Sequence, residues 1–239
     1  MIKWAWAAVL AVVVAAGGIF AVRALPEKSG PSIAVETVQN ERYPIGGSTA
    51  SRSTTEPKTT VVNVVAVDAA GNPAEGYTSV AEGRVTGCER SPASVGVDIV
   101  SCASSGGGGR TNVCWVTASR TVLLCGNTPW EKTLRVVRTD VAVGKFGSPE
   151  SPQPWGLELD GGTKCVLAVG SSSSGENNLL SDYVCDKPGQ YLLTGSGHVA
   201  DRSKPVWTVQ RGRLDPSPEK LSPPVEVKVI AAYFAAASN

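Results

Sequence analysis

Histidine is almost absent from this chain, because His198 is the only one in 239 residues. An excess of one charge is also lacking, since 22 Lys and Arg stand against 21 Asp and Glu for a net charge of +1. A nucleic-acid-binding domain needs Lys and Arg clustered on one face, so we expect no nucleic-acid partner. With one histidine and no C-x-x-C pair, clustered metal ligands are missing, and we expect no metal and no cofactor.

The usual signatures of nucleophilic catalysis are missing as well. No G-x-S-x-G sequence occurs, and a Ser-His-acid triad depends on a histidine that accepts the serine proton. His198 could pair with a serine and with Asp182 or Asp201, but a lone loop histidine is more often a solvated side chain. Glu158 and Asp160 lie two apart and could resemble the carboxylate pair of a glycosidase, yet Asp160-Gly161 is better explained as a turn. We therefore expect no catalytic residue and no enzyme.

Long apolar runs are absent except for one, Trp4–Val22, which carries no charged residue. About 20 apolar residues cross a bilayer as a helix, and Trp4 and Trp6 lie where an interfacial aromatic belt would be. We predict a transmembrane signal anchor within residues 1–27, with the membrane as a partner through residues 4–22. The alternative is a cleaved signal peptide, with cleavage near Ala24 and a secreted product.

Six cysteines follow the apolar run, and no second membrane-spanning run follows them. An even set of cysteines exported past a membrane helix is typical of three disulfides in an oxidising compartment. We therefore expect a single-pass membrane protein with a short cytoplasmic N-terminus and an extracytoplasmic C-terminal domain. The cysteines are Cys88, Cys102, Cys114, Cys125, Cys165 and Cys185.

Composition and turn residues divide the remainder of the chain. Residues 28–60 are rich in Ser, Thr, Pro and Gly and are interpreted as a flexible stalk, since they carry too few apolar residues to offset the entropy of ordering. Beyond them, short β-branched segments separated by turns predict a mainly β, antiparallel, disulfide-stapled domain. The Gly147–Pro154 segment is the best internal boundary. It predicts one β domain or two small subdomains, 61–150 and 151–239.

Two hairpin patterns suggest how the cysteines pair. Short strands on either side of Ala118-Ser119-Arg120 place Cys114 near Cys125. The Asp160-Gly161-Gly162 turn forms a second hairpin, whose later strand carries Cys165 and faces the segment of Cys185. Cys88 with Cys102 follows by elimination. Because six cysteines allow 15 connectivities, this scheme is a preference among them.

Aromatic and glycine-rich segments invite functional readings of their own. Trp115, Trp130, Trp155 and Trp207 could line a groove that stacks on sugars or lipids, although burial beside cystines in a β core is the more common arrangement. The glycine run within Ser104–Gly109 lacks the Lys-Ser/Thr step of a phosphate-binding loop, and we interpret it as a hairpin loop.

Four segments of the C-terminal half form a recognisable set: Trp155–Cys165 (WGLELDGGTKC), Tyr183–Cys185 (YVC), Asp201–Val209 (DRSKPVWTV) and Ala232–Phe234 (AYF). In these segments the chain resembles exported, uncharacterised proteins of mycobacteria and related actinobacteria. The segment from Cys114-Trp115-Val116 up to Pro129-Trp130 is similar too. The resemblance implies a cell-envelope setting and transfers no site residue or activity.

These observations favour a non-enzymatic binding domain tethered to the cell envelope, with an envelope ligand or protein as its partner. One alternative is a cell-wall hydrolase whose unrecognised site lies near His198. Another is an accessory subunit of a membrane complex, because Gly17-Gly18 could allow close approach of a second helix.

Overall fold

The computed structural model describes residues 57–106, 109–168, 180–194, 199–216, 219–221 and 223–238, and these fold entirely as strands, turns and loops. The predicted membrane anchor and most of the predicted stalk lie outside the described residues. Where the chain is described, it contains no helix long and apolar enough to cross a membrane. The mainly β prediction is confirmed for this part of the chain.

Fourteen strands make up the described structure. Contacts among them belong to a single compact unit, Ser53–Asn239. In chain order the strands are β1 Thr60–Val65, β2 Thr78–Arg90, β3 Ile99–Ser104, β4 Arg110–Val116, β5 Val122–Gly126, β6 Thr133–Arg138, β7 Gly156–Leu159, β8 Lys164–Leu167, β9 Leu180–Cys185, β10 Gln190–Thr194, β11 Ala200–Asp201, β12 Thr208–Pro216, β13 Glu219–Leu221 and β14 Val225–Ala236.

Strands β2 to β6 close into a small barrel. Neighbouring strands are antiparallel from β2 to β6, and a parallel pairing of β6 with β2 closes the ring. The register of β2 against β3 shifts between Thr86 and Glu89, where Gly87 has a φ of +50°. Such a bulge bends a strand, and bending is what a barrel of few strands requires.

The remaining strands form a larger sheet in the order β1-β14-β7-β8-β9-β10-β12-β11, with β13 paired to β12. Strand β14 also pairs with β12, so hydrogen bonding returns to its starting point through β14, β7, β8, β9, β10 and β12. Strand β1 lies outside this ring and pairs in parallel with residues 231–236 of β14. The sheet is therefore a second barrel-like ring with one added strand.

The interior of the small barrel is built around two disulfides. Cys88 is bonded to Cys102 and Cys114 to Cys125, and these side chains share one core cluster with Val85, Val100 and Leu123. Val143 and Phe146, from the segment after β6, pack against the same cluster. Since a barrel this small has little room for large side chains, cystines supply both the crosslinks and the filling.

The outer face of β4 and β5 is buried too, because it packs on the larger ring through one shared core. Trp115 and Leu124 alternate with the inward-facing Cys114 and Cys125, and both belong to the cluster that contains Trp155 and Leu157. The rings of Trp115 and Trp155 meet edge to face, 5.8 Å between centroids. The Trp115 indole also donates a hydrogen bond to the carbonyl of Ala236, 2.9 Å away.

All three predicted disulfide pairs are present. Cys114 faces Cys125 directly across β4 and β5, and Cys165 faces Cys185 across β8 and β9. The third pair, Cys88–Cys102, joins β2 to β3. Each bond links neighbouring strands, so the neighbour-to-neighbour scheme is correct.

Two short strands were not predicted, and the predicted boundary between subdomains is crossed by pairing and packing. The missed strands are β11 and β13, each of only two or three residues. The small barrel lies wholly within 61–150, but β1 from the same range pairs with β14. The division at 150 stays a prediction about folding units.

A substitution at Gly126 tests how closely the small barrel packs against the larger ring of strands. A Cβ at this position would lie 2.7 Å from Cη2 and 2.9 Å from Cζ2 of Trp155. We expect Gly126→Ala to lower the free energy of unfolding by about 1–3 kcal/mol, because the Trp155 ring is itself buried and cannot yield freely. Thermal denaturation followed by circular dichroism measures the change.

Gly147→Ala is the matched control, since an added Cβ there meets no atom within 4 Å. Its midpoint should stay near that of the unsubstituted protein. Equal stability of the two variants would contradict a tight junction between the rings.

Candidate functional site

A cleft of about 580 Å³ opens on the larger ring, where β10, β11, β12 and β14 meet. Small-molecule sites of proteins fall in this range of volume, roughly 300–1,000 Å³. Its apolar lining comes from the buried side chains of Leu193, Val199 and Val209. The remaining lining residues are Ser151, Ala200, Asp201, Arg202, Ser203, Thr208, Gln210 and Glu226.

Strand register explains why polar side chains gather in this cleft. Thr208 pairs with Asp201 of β11 on one side and with Lys228 of β14 on the other. Two residues along β12, Gln210 pairs with Glu226 of β14. Directly paired residues share a face of a sheet, as do residues i and i+2 of one strand. All five side chains therefore belong to one face, while Val209 between them faces the core.

Asp201 is a preorganised carboxylate. Its Oδ1 accepts a hydrogen bond from the backbone N–H of Ser203, 2.9 Å away, and the pKa of Asp201 lies below its ordinary value chiefly because of this bond. The side chain is exposed, so it is ionised and accessible at neutral pH. The carboxylate thus has a fixed direction as well as a charge.

Arg202 forms a wall of the cleft and is committed to several contacts. Its guanidinium lies over the rings of Trp207, at 4.7 Å, and Phe234, at 5.5 Å, and donates a hydrogen bond to the carbonyl of Pro152 at 2.8 Å. Burial lowers the pKa of Arg202 below its ordinary value, and the guanidinium stays charged at neutral pH. Stacking on two rings fixes the plane of the guanidinium.

Two of the acids that the sequence suggested, Asp182 and Glu158, accept hydrogen bonds from hydroxyl groups. Asp182 accepts a hydrogen bond from the hydroxyl of Thr194, 3.0 Å away. Glu158 accepts one from the hydroxyl of Tyr233, 3.2 Å away, whereas Asp160 lies exposed in the β7–β8 turn. His198 lies outside the described residues. Among the described residues, no group of three or more His, Cys, Asp or Glu could hold a metal ion.

The four tryptophans considered as groove residues divide into two classes. Trp115 and Trp155 are buried in the shared core. Trp130 is partly buried against Tyr233, 5.4 Å between ring centroids, and Trp207 lies under Arg202. None of the four is among the described residues that line the larger cleft.

A smaller cleft of about 290 Å³ lies beside Trp115 and contains an unusual ion pair. Asp98 and Arg120 both have positive φ, 54° and 57°, and among the described residues they are the only non-glycine residues that do. Side chains rarely adopt this region, and each such residue carries strain that its surroundings must compensate.

Hydrogen bonds of Asp98 and Arg120 compensate this backbone strain. Two guanidinium nitrogens of Arg120 donate to the two carboxylate oxygens of Asp98, at 2.8 and 3.0 Å. Nε of Arg120 donates to the carbonyl of Val143 at 2.7 Å, and Asp98 accepts from the backbone N–H of Phe146 at 3.3 Å. Val143 and Phe146 cover the core of the small barrel. The Asp98–Arg120 ion pair, called the clasp below, therefore holds the covering segment in place.

The chain has no recognised relative in the three comparisons. No protein-family model matches it, no curated protein matches it, and no solved structure matches it. The resemblance to exported actinobacterial proteins therefore stays a prediction.

Sequence reasoning did not single out the cleft residues Thr208, Gln210 and Glu226. Residues 225–229 alternate Val225, Val227 and Val229 with Glu226 and Lys228, a signal for one outward face, but this alternation could not show that the strand pairs with β12. Arg120 was assigned to a turn, yet nothing in the sequence marks its left-handed conformation or its partner Asp98.

The clasp predicts a pH-dependent contribution to stability. The Arg120 hydrogen bonds are the main reason that the pKa of Asp98 lies below its ordinary value of 3.8. A carboxyl group with a depressed folded-state pKa stabilises the fold above its ordinary pKa, and this contribution is lost as the pH falls through the folded-state value. Asp98→Asn should therefore destabilise the protein by about 1–2 kcal/mol at neutral pH.

Chemical denaturation of both proteins from neutral pH down to strongly acidic pH measures this difference. It should shrink as the pH falls below 3.8, the ordinary pKa of the group, and should vanish once the pH is below the lower folded-state pKa of Asp98. Asparagine tolerates positive φ, so the substitution removes the charge without adding backbone strain. Asp160→Asn, in an exposed turn, is the control. A difference that stays constant with pH would contradict the ionic origin of the effect.

Proposed function

We propose that this chain is a non-enzymatic binding domain of the cell envelope, held outside the cytoplasm and tethered to the membrane through residues 4–22. The 580 Å³ cleft carries the proposal, because it combines a buried apolar floor with polar side chains from several strands. Binding sites are concave, apolar in part and provided with a few convergent polar groups. This combination supports recognition of a small polar ligand at the cleft.

The cleft chemistry favours a ligand rich in hydroxyl or amide groups. Asp201, Glu226 and Gln210 offer hydrogen-bond acceptors, while Gln210 and Thr208 also donate. A polyhydroxylated molecule such as an envelope sugar presents many donors to such a set, and its apolar ring face can cover Leu193, which pairs with Gln210 and so shares its face. Asp201 and Glu226 supply carboxylates to the cleft, while the positive charge of Arg202 is held against Trp207 and Phe234.

An oxidising compartment is supported by the three disulfides. All six cysteines are paired, and proteins of reducing compartments rarely keep structural disulfides. Two of the bonds lie in the core of the small barrel, so that core depends on oxidation.

Titration with N-acetylglucosamine and its β-1,4-linked disaccharide tests the cleft. We expect chemical-shift changes in nuclear magnetic resonance spectra at the backbone amides of 200–210 and 225–228, with the weak affinity usual for short sugars. The double variant Gln210→Ala, Glu226→Gln should weaken binding roughly thirtyfold, because two lost hydrogen bonds at about 1 kcal/mol each amount to about 2 kcal/mol.

Glu75→Gln is the control for that titration, since Glu75 is exposed and does not line the cleft. It should bind as the unsubstituted protein does. Shift changes that are absent, or that persist undiminished in the double variant, would argue against a sugar site at this cleft.

Intact mass of the protein purified from its native membrane tests the compartment and the tether. We expect the full-length mass, with six cysteines that become alkylated only after reduction. Loss of about 24 residues would identify a cleaved signal peptide and a secreted protein instead. Thiols that react without reduction would contradict the extracytoplasmic location.

A further inference from the structure

Strand β1 presents an unpaired edge. It pairs only with β14 among the described residues and forms one end of the larger sheet. Its exposed side chains include Val61, at 53% exposure, and Val65, at 39%. The strand contains no proline and no charged residue. Proteins normally protect a sheet edge with charge, proline or a covering element, because its free N–H and C=O groups pair readily with another strand.

The sequence of this edge is a palindrome. Residues 61–65 read Val-Val-Asn-Val-Val, with Asn63 at the centre. Val61, Asn63 and Val65 are exposed on one face, while Val62 and Val64 face the shared core. A palindromic strand presents the same side chains to an antiparallel copy of itself, so a twofold axis through Asn63 matches every position.

We propose that β1 is a self-association edge, at which β1 of a second copy of this chain pairs antiparallel about a twofold axis through Asn63. In that register Val61 lies opposite Val65 of the other copy and Val62 lies opposite Val64. Asn63 lies opposite its own counterpart, where two side-chain amides can exchange hydrogen bonds. A twofold interface requires one patch to be complementary to itself, and this strand meets that requirement in side chains and in charge.

Charge favours a second copy over a different protein. A partner with an acidic or basic strand would find no opposite charge on Thr60–Val65. Two identical uncharged strands meet without repulsion, and every valine gains an apolar neighbour across the junction. A one-residue slip would bring valine opposite asparagine, so the palindrome also fixes the register.

Charge substitution at the axis tests the pairing in the full-length protein, purified in a mild detergent and studied by sedimentation velocity over a wide concentration range. We expect reversible dimers for the unsubstituted chain. Asn63→Lys places two like charges opposite each other and should raise the dissociation constant roughly tenfold or more. Asn63→Asp should do the same, and an equal mixture of the two variants should recover dimers through the opposite charges.

Asn127→Lys is the matched control, an exposed asparagine in the β5–β6 connection that should leave dimerisation unchanged. Thermal denaturation of each variant shows whether it is folded. A chain that stays monomeric at every concentration would overturn the proposal, as would an Asn63→Lys variant that dimerises as well as the unsubstituted chain.

Cysteine crosslinking tests the register independently. Opposed residues of antiparallel strands have Cα atoms about 4.5–5.5 Å apart, within reach of a disulfide. Asn63→Cys should therefore crosslink to its own copy on mild oxidation. Val61→Cys should not, because four residues of strand separate it from its counterpart by roughly 13 Å, but a mixture of Val61→Cys and Val65→Cys should. Crosslinking that is equal for Asn63→Cys and for Val61→Cys alone would overturn the twofold axis.

Discussion

Burial of β4 and β5 on both faces of the small barrel is the constraint on which the rest of the structure depends. Strands β4 and β5 send Cys114 and Cys125 inward and Trp115 and Leu124 outward, and all four side chains are buried. A five-stranded ring is too small to bury much apolar surface inside, so its outer face must supply the remainder. The edge-to-face contact of the Trp115 and Trp155 indoles joins the small barrel to the larger ring of strands. Gly126 is required there because its missing side chain makes room for the Trp155 ring.

The positions of the cleft and of the β1 edge follow from the same arrangement, because the long strand β14 pairs with three neighbours, β1, β7 and β12. Residues 225–228 pair with β12 and carry Glu226 into the cleft, whereas residues 231–236 pair with β1. The Ala236 carbonyl accepts the Trp115 indole hydrogen bond, so the end of β14 is fixed against the small barrel. A rigid strand held in this way gives the cleft side chains a fixed position. That preorganisation reduces the entropy lost when a ligand binds.

Much of this fold could be predicted from sequence, and the failures have a common cause. Val122-Leu123-Leu124-Cys125 is continuously apolar, which is typical of a strand buried on both faces, and the Asp160-Gly161-Gly162 turn identified the β7–β8 hairpin. The three disulfide pairs could be predicted as well, because the two cysteines of each pair lie on strands that are consecutive in the chain. The cleft and the clasp could not be predicted, since they depend on pairings distant in sequence: Gln210 with Glu226, and Asp98 with Arg120. Local pattern identifies a strand and its faces, but it does not identify the partner strand.

The free edge of β1 needs an explanation, because the other strands close into two rings. The small barrel closes through the β2–β6 pairing and the larger ring through the β12–β14 pairing, and both closures remove edges that would otherwise attract other chains. Adding β1 outside the second ring restores an edge, and natural edge strands are commonly protected by charged side chains, proline or a covering element. Instead the strand is uncharged and symmetric about Asn63. A single polar residue at the centre of an apolar pairing surface limits which registers are satisfied, in the way that one buried asparagine selects the register of a coiled coil.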